Sequence, residues 1–155
     1  MTPTADAIDS TGMTPQTKQM SPVDSAWLHM EEPTNLMMIT GVSLLDKMPD
    51  LERFRKTLEV RLLTLDRFTM RVVEPVLPVG TPHWEVDPNF DLDAHVHRVA
   101  LPAPGDMNEL QRFISDLAST PLDFSKPLWN IHLVENVGGG EAMILRLHHC
   151  VGDGT

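Results

Sequence analysis

The sequence predicts an α/β fold in its α+β form, built on a mixed sheet. Two stretches, Asp50 to Leu65 and Asp106 to Leu117, repeat apolar residues at the helical period. Several shorter apolar runs bounded by Gly, Pro or Asp read as strands. The last two flank Gly138-Gly139-Gly140, a hairpin by its turn chemistry, so at least one strand pair is antiparallel. Strict βαβ alternation is absent, and neither GxGxxG nor GxxxxGK(S/T) occurs, which argues against a doubly wound nucleotide fold.

Taken in order, residues 1–19 are Thr/Pro/Ala/Asp-rich without apolar periodicity and are expected to form a disordered leader. Order should begin at Ser21-Pro22-Val23-Asp24, where a hydroxyl N-cap, a proline at the first helical position and a carboxylate at the third suit a helix start. That short helix ends near Glu32-Pro33. Residues 36–45 (LMMITGVSLL) read as a buried strand in which Gly41 marks a bulge. The next helix spaces Leu51, Phe54, Leu58, Leu62 and Leu65 along one face, with charged residues on the others. Short strands follow at 69–74, 81–86 and 96–101. Asp106 and Glu109 have capping-box spacing before a helix with Leu110, Phe113, Ile114 and Leu117 as its stripe, stopping before Pro121. The hairpin strands are 129–137 and 141–148.

Composition excludes several functions. The 155 residues carry a net charge of −10 with no basic cluster, which repels nucleic acid and anionic lipid. One cysteine, Cys150, can build neither an internal disulfide nor a cysteine-based zinc site. No apolar run approaches a membrane span and no signal peptide opens the chain, so a cytoplasmic protein is the default.

The chemistry concentrates at the end, in His148-His149-Cys150-Val151-Gly152-Asp153-Gly154-Thr155. Strand parity puts Met143, Leu145, Leu147 and His149 on one face and Ala142, Ile144, Arg146 and His148 on the other, so the two imidazoles should point opposite ways. That argues against a shared metal, and no third ligand sits at useful spacing. A Cys150 nucleophile would lack an orienting partner. Two readings stay open: histidines that merely end a strand, with Asp153-Gly154 as a turn, or one neutral histidine acting as general base, for which imidazole has the suitable pKa. Pro127-Leu128-Trp129, Trp27 and Trp84 read as core, and the Met37-Met38 stretch as core before an apolar channel. His95, His97 and His132 receive no role.

HHCVGDG matches the HHxxxDG signature of the chloramphenicol acetyltransferase-like superfamily. With SPVDSAWLHMEEP near the start, FDLDAHVHRVALPAPG, and Pro127-Leu128-Trp129 about twenty residues before the histidine pair, residues 20–155 resemble the amino-terminal region of bacterial wax ester synthase/acyl-CoA:diacylglycerol acyltransferases. Asn130 departs from a common acidic residue, and Gly152 from a common Ala.

The resemblance implies the amino-terminal half of a chloramphenicol acetyltransferase-like two-domain fold, cut off after the motif. It implies acyl transfer from acyl-CoA, a co-substrate rather than a cofactor, to diacylglycerol or a long-chain alcohol. His149 would be the base, with His148, Asp153 and Gly154 shaping its loop, Asp153 through an ion pair. Pro127, Leu128 and Trp129 would belong to the substrate site. The resemblance further implies a missing carboxy-terminal half as partner, without which the chain should be inactive, and it allows peripheral contact with a membrane or lipid inclusion. Two other outcomes are a non-catalytic half-domain that binds lipid or a partner, and a condensation-type enzyme of the same superfamily using carrier-protein donors.

Overall fold

A computed structural model describes residues 16–76 and 80–152. Strands β1 (Thr17–Gln19), β3 (Met70–Val73) and β4 (His83–Val86) form a small antiparallel sheet in the order β1-β4-β3. Strands β2 (Met38–Leu45), β5 (Val96–Ala100), β6 (Trp129–Val137) and β7 (Gly140–His148) form the larger sheet, ordered β2-β7-β6-β5. β5 and β6 are parallel, joined by helix α3 (Met107–Ala118); the other pairs are antiparallel, so the sheet is mixed as expected. Helices α1 (Pro22–Met30) and α2 (Leu51–Arg61) complete the fold.

Each helix starts where its cap residue dictates. Ser21 Oγ accepts from Asp24 N–H at 3.1 Å, and an Asp50 carboxylate oxygen from Arg53 N–H at 2.9 Å. One Asp106 oxygen accepts from both Asn108 and Glu109 N–H groups. Glu109 turns to Arg112 instead of back to the cap, so the capping box is only half closed. At the far end of α3 the buried Arg146 guanidinium donates to the Thr120 carbonyl, placing a cation at the helix's negative pole.

Sheet parity divides the core. Trp129, Ile131 and Leu133 of β6 join Met143 and Leu145 of β7 beneath Leu58 and Phe54 of α2. On the opposite face Val134, Ala142 and Ile144 pack under Leu110, Phe113 and Leu117 of α3. Burying one such aliphatic side chain contributes about 1.5–3 kcal/mol. A third cluster joins Leu28, Met70, Trp84 and Leu128 to Cys150 and Val151, tying α1 and the small sheet to the end of β7.

Three expectations need correction. The leader is not wholly without structure: Thr17–Gln19 pair with Glu85–His83, an extended segment recruited by a partner more than sixty residues away that no local pattern announces. Residues 1–15 lie outside the described residues. Among the described residues β2 is an edge strand rather than a buried one, paired only with β7, and it leaves Leu44 62% exposed with Val42 beside it in the sheet. Gly41 sits in regular register opposite Leu145; the irregularity lies in β6 between Val134 and Val137, where Asn136 takes φ 63°. The hairpin holds: Gly138 and Gly139, at φ 58° and 89°, form the two-residue turn whose left-handed backbone suits the strand twist.

Candidate active site

Strand β7 lies between β2 and β6, and both neighbours grip its end. His148 N–H donates to the Leu128 carbonyl at 3.0 Å, on the β6 side. His149 N–H donates to the Met37 carbonyl at 2.9 Å, on the β2 side, and Val151 N–H closes a turn onto the His148 carbonyl. Consecutive residues are thus anchored to opposite neighbours.

The two rings meet different surroundings. His148 is 1% exposed. Its Nδ1 accepts from Cys150 N–H at 3.1 Å, which leaves the proton on Nε2, 3.0 Å from Glu31 Oε2. The same Glu31 oxygen accepts from Met37 N–H at 3.0 Å, and the Phe124 ring stands edge-on to the imidazole. Burial holds the His148 pKa below the ordinary histidine value, although Glu31 pulls against it. Nδ1 is hydrogen-bonded and Nε2 lies against the Glu31 carboxylate without a well-aligned hydrogen bond, so the buried His148 is built into the fold. His149 is half-buried and stacks on Trp27, ring centres 4.5 Å apart and planes 19° from parallel. Among the described residues neither His149 ring nitrogen has a hydrogen-bond partner.

Arg67 fastens the turn. One guanidinium nitrogen donates to the Cys150 carbonyl at 2.8 Å, the other lies 2.8 Å from the buried Asp24 carboxylate, and the group rests over the Trp84 ring. Cys150 itself is fully buried, and burial, with Asp24 adding to it, pushes its thiol up to about 12. A nucleophilic Cys150 is thereby excluded. Iodoacetamide at pH 8 should alkylate Cys150 at least ~10²-fold more slowly in the folded protein than in urea, because almost no thiolate forms and none is exposed. Equal rates by mass spectrometry would refute this.

Of the motif residues, Asp153 and Gly154 lie outside the described residues. Pro127, Leu128 and Trp129 are all buried. Trp129 donates its indole N–H to the Phe68 carbonyl at 2.9 Å and stacks on His95, while the Leu128 carbonyl holds His148. Their bearing on the site runs through the backbone. Trp84 is core as expected; Trp27 is half-buried, packed against the same cluster, and also faces the His149 ring. His95 donates to the Trp129 carbonyl within an aromatic stack, and His97 and His132 lie ring against ring under α3.

The sequence reading missed Glu31, Asp24 and Arg67. Asp24, Trp27, Leu28 and Glu31 stand at i, i+3, i+4 and i+7 on α1, and that spacing was the available signal. Two carboxylates in a would-be apolar stripe disguised it. No helix among the described residues is long and apolar enough to cross a membrane.

A mixed sheet flanked by helices, delivering a histidine pair from the end of a central strand, defines a layer of the chloramphenicol acetyltransferase-like fold. Structural comparison agrees. The wax ester synthase/diacylglycerol acyltransferase from Marinobacter aquaeolei VT8 superposes with a TM-score of 0.71 at 29% identity, over 88% of this chain and 35% of that one. A variant of the starter condensation domain of rhizomide synthetase, in complex with C8-CoA, superposes with a TM-score of 0.67 at 16% identity, over 86% of this chain and 31% of that one; it shows the fold alone. The sequence model of the wax ester synthase/diacylglycerol acyltransferase catalytic domain matches residues 20–155, and the chain belongs to that family. A Mycobacterium tuberculosis relative named as a diacylglycerol O-acyltransferase is 39% identical over 140 residues, 88% of this chain and 28% of the relative. The chain therefore spans about a third or less of the relatives it matches.

Proposed function

We propose that this chain carries the base of an acyl-CoA-dependent O-acyltransferase that esterifies diacylglycerol or a long-chain alcohol. One observation carries the reading. Of the two motif imidazoles, His148 is buried with Nδ1 hydrogen-bonded and Nε2 against the Glu31 carboxylate, whereas His149 is half-exposed with neither nitrogen bonded among the described residues.

The reaction needs little more than a base and placement. A His149 nitrogen takes the proton of the acceptor hydroxyl as its oxygen bonds to the thioester carbonyl carbon. The tetrahedral oxyanion collapses, the C–S bond breaks, and the CoA thiolate recovers the proton from the imidazolium, leaving ester and CoA with the base regenerated. A thioester is already activated, so no acyl-enzyme and no cofactor are required. Asp153 and Gly154 shape the loop, Asp153 through an ion pair, as the family motif implies. The remaining length of a full-size family member would close over His149, exclude water and supply oxyanion donors. Such acceptors reside in lipid phases, which would put the reaction at a membrane or lipid-inclusion surface.

The test offers palmitoyl-CoA to the complete gene product with dioleoylglycerol, hexadecanol or an amine acceptor. Ester and free CoA should appear in equal amounts and only with a hydroxyl acceptor. Amide as the sole product would favour a condensation-type enzyme, and binding without turnover a non-catalytic half-domain; either result overturns the proposal.

A further inference from the structure

A general base works only if its lone pair points at the proton, and for His149 that direction is set by two torsions. The backbone is fixed, because β7 is paired on both sides and His149 N–H is tied to the Met37 carbonyl. The first side-chain torsion falls into staggered wells, but rotation of the ring about its own bond is broad and needs an external constraint. Catalytic histidines commonly obtain it from a hydrogen bond to the second ring nitrogen. Among the described residues His149 has no such bond; what it has is the Trp27 indole, lying flat against it at 4.5 Å. Turning the imidazole out of that plane would drive its edge into the indole.

We propose that Trp27 is the positioning residue of the base: its indole sets the plane of the His149 ring and thereby the direction in which the ring meets the acceptor hydroxyl. The inference rests on His149 being the base. The indole is itself well placed for the task. It projects from α1 between two anchors, Asp24 on the same helix, joined through Arg67 to the Cys150 carbonyl, and Glu31 at the helix's C-cap, whose carboxylate lies 3.0 Å from His148 Nε2. The residues on either side of His149 are therefore held by the helix that carries Trp27. A loss of contact at Trp27 frees the ring without freeing the turn.

Because misplacing a reacting group by about 1 Å can cost about 10²-fold, Trp27→Leu in the complete gene product should lower kcat by about 10- to 100-fold. KM for palmitoyl-CoA and for hexadecanol should stay within about threefold, since the ring plane matters to the proton transfer and not to binding. Trp27→Phe keeps a flat face and should restore kcat to within about fivefold of the parent. A kcat for Trp27→Leu equal to the parent's overturns the proposal, and so does a loss that falls wholly on KM, which would make Trp27 a substrate contact.

A second measurement does not depend on that variant folding. In proton NMR the His149 ring signals, assigned by their disappearance in His149→Ala, should lie upfield of free histidine because the indole face shields them. Signals at free-histidine positions would refute the stack. His149→Ala also separates the two claims: if it remains active the base reading fails and this inference with it, whereas an inactive His149→Ala beside a fully active Trp27→Leu removes only the role of Trp27.

Discussion

Replacing His149 by Ala in the complete gene product is expected to lower ester formation by about 10²- to 10⁴-fold, the usual contribution of one positioned general base. At 1.36 kcal/mol per tenfold this is about 3–5 kcal/mol of barrier. The loss should fall on kcat, because the imidazole is needed while the proton moves and adds little to holding either substrate. His148→Ala is the informative companion. It removes a ring that accepts from Cys150 N–H and faces Glu31, so its first effect should be on folding and on the shape of the turn. Steady-state kinetics paired with thermal melts distinguish the two: His149→Ala should melt like the parent yet fail to turn over, and His148→Ala should melt early. A fully active His149→Ala would leave the motif a structural role only.

Acid should destabilise the protein well above the range where carboxylates titrate. Three buried histidines, His95, His132 and His148, have folded-state pKa values below that of free imidazole, each chiefly through burial. Each therefore binds more protons unfolded than folded, so stability is whole above about pH 6.5 and drains as pH falls toward the folded values. His132 is the clearest case. Its Nδ1 is buried without a hydrogen-bond partner among the described residues, and burial, with His97 4.9 Å away ring to ring and Arg146 as a further like charge, lowers its pKa to about 4. That depression corresponds to about 3 kcal/mol lost between pH 6.5 and 4. Urea melts at pH 7.5, 6.5, 5.5 and 4.5 should show a falling midpoint in the parent and a visibly flatter dependence in His132→Leu. Parallel curves for the two proteins would mean that His132 does not resist protonation in the fold.

What could be read from the sequence was whatever is written locally. Ser21, Asp50 and Asp106 announce their helices because a capping side chain acts within three residues of itself. The alternation through β7 put Met143 and Leu145 on one face and Ala142 and Ile144 on the other because the strand period is two. What could not be read depends on partners far along the chain. β1 exists because β4 is there to pair with it, and β2 is an edge because nothing pairs with its outer side among the described residues, which its own apolar composition could not disclose. The site divides in the same way. The motif named the histidines, but the roles of Trp27, Glu31 and Arg67 arise where α1 and the turn after α2 converge on the end of β7. Arg67 reaches the Cys150 carbonyl across 83 residues.

The interior position of β7 has a mechanical consequence. A histidine borne on a surface loop would have to be frozen into place at every catalytic cycle, with the entropy of that ordering added to each barrier. Here the carrier of His149 is laced on both flanks, so under the proposed function the ordering would be settled once, when the chain folds.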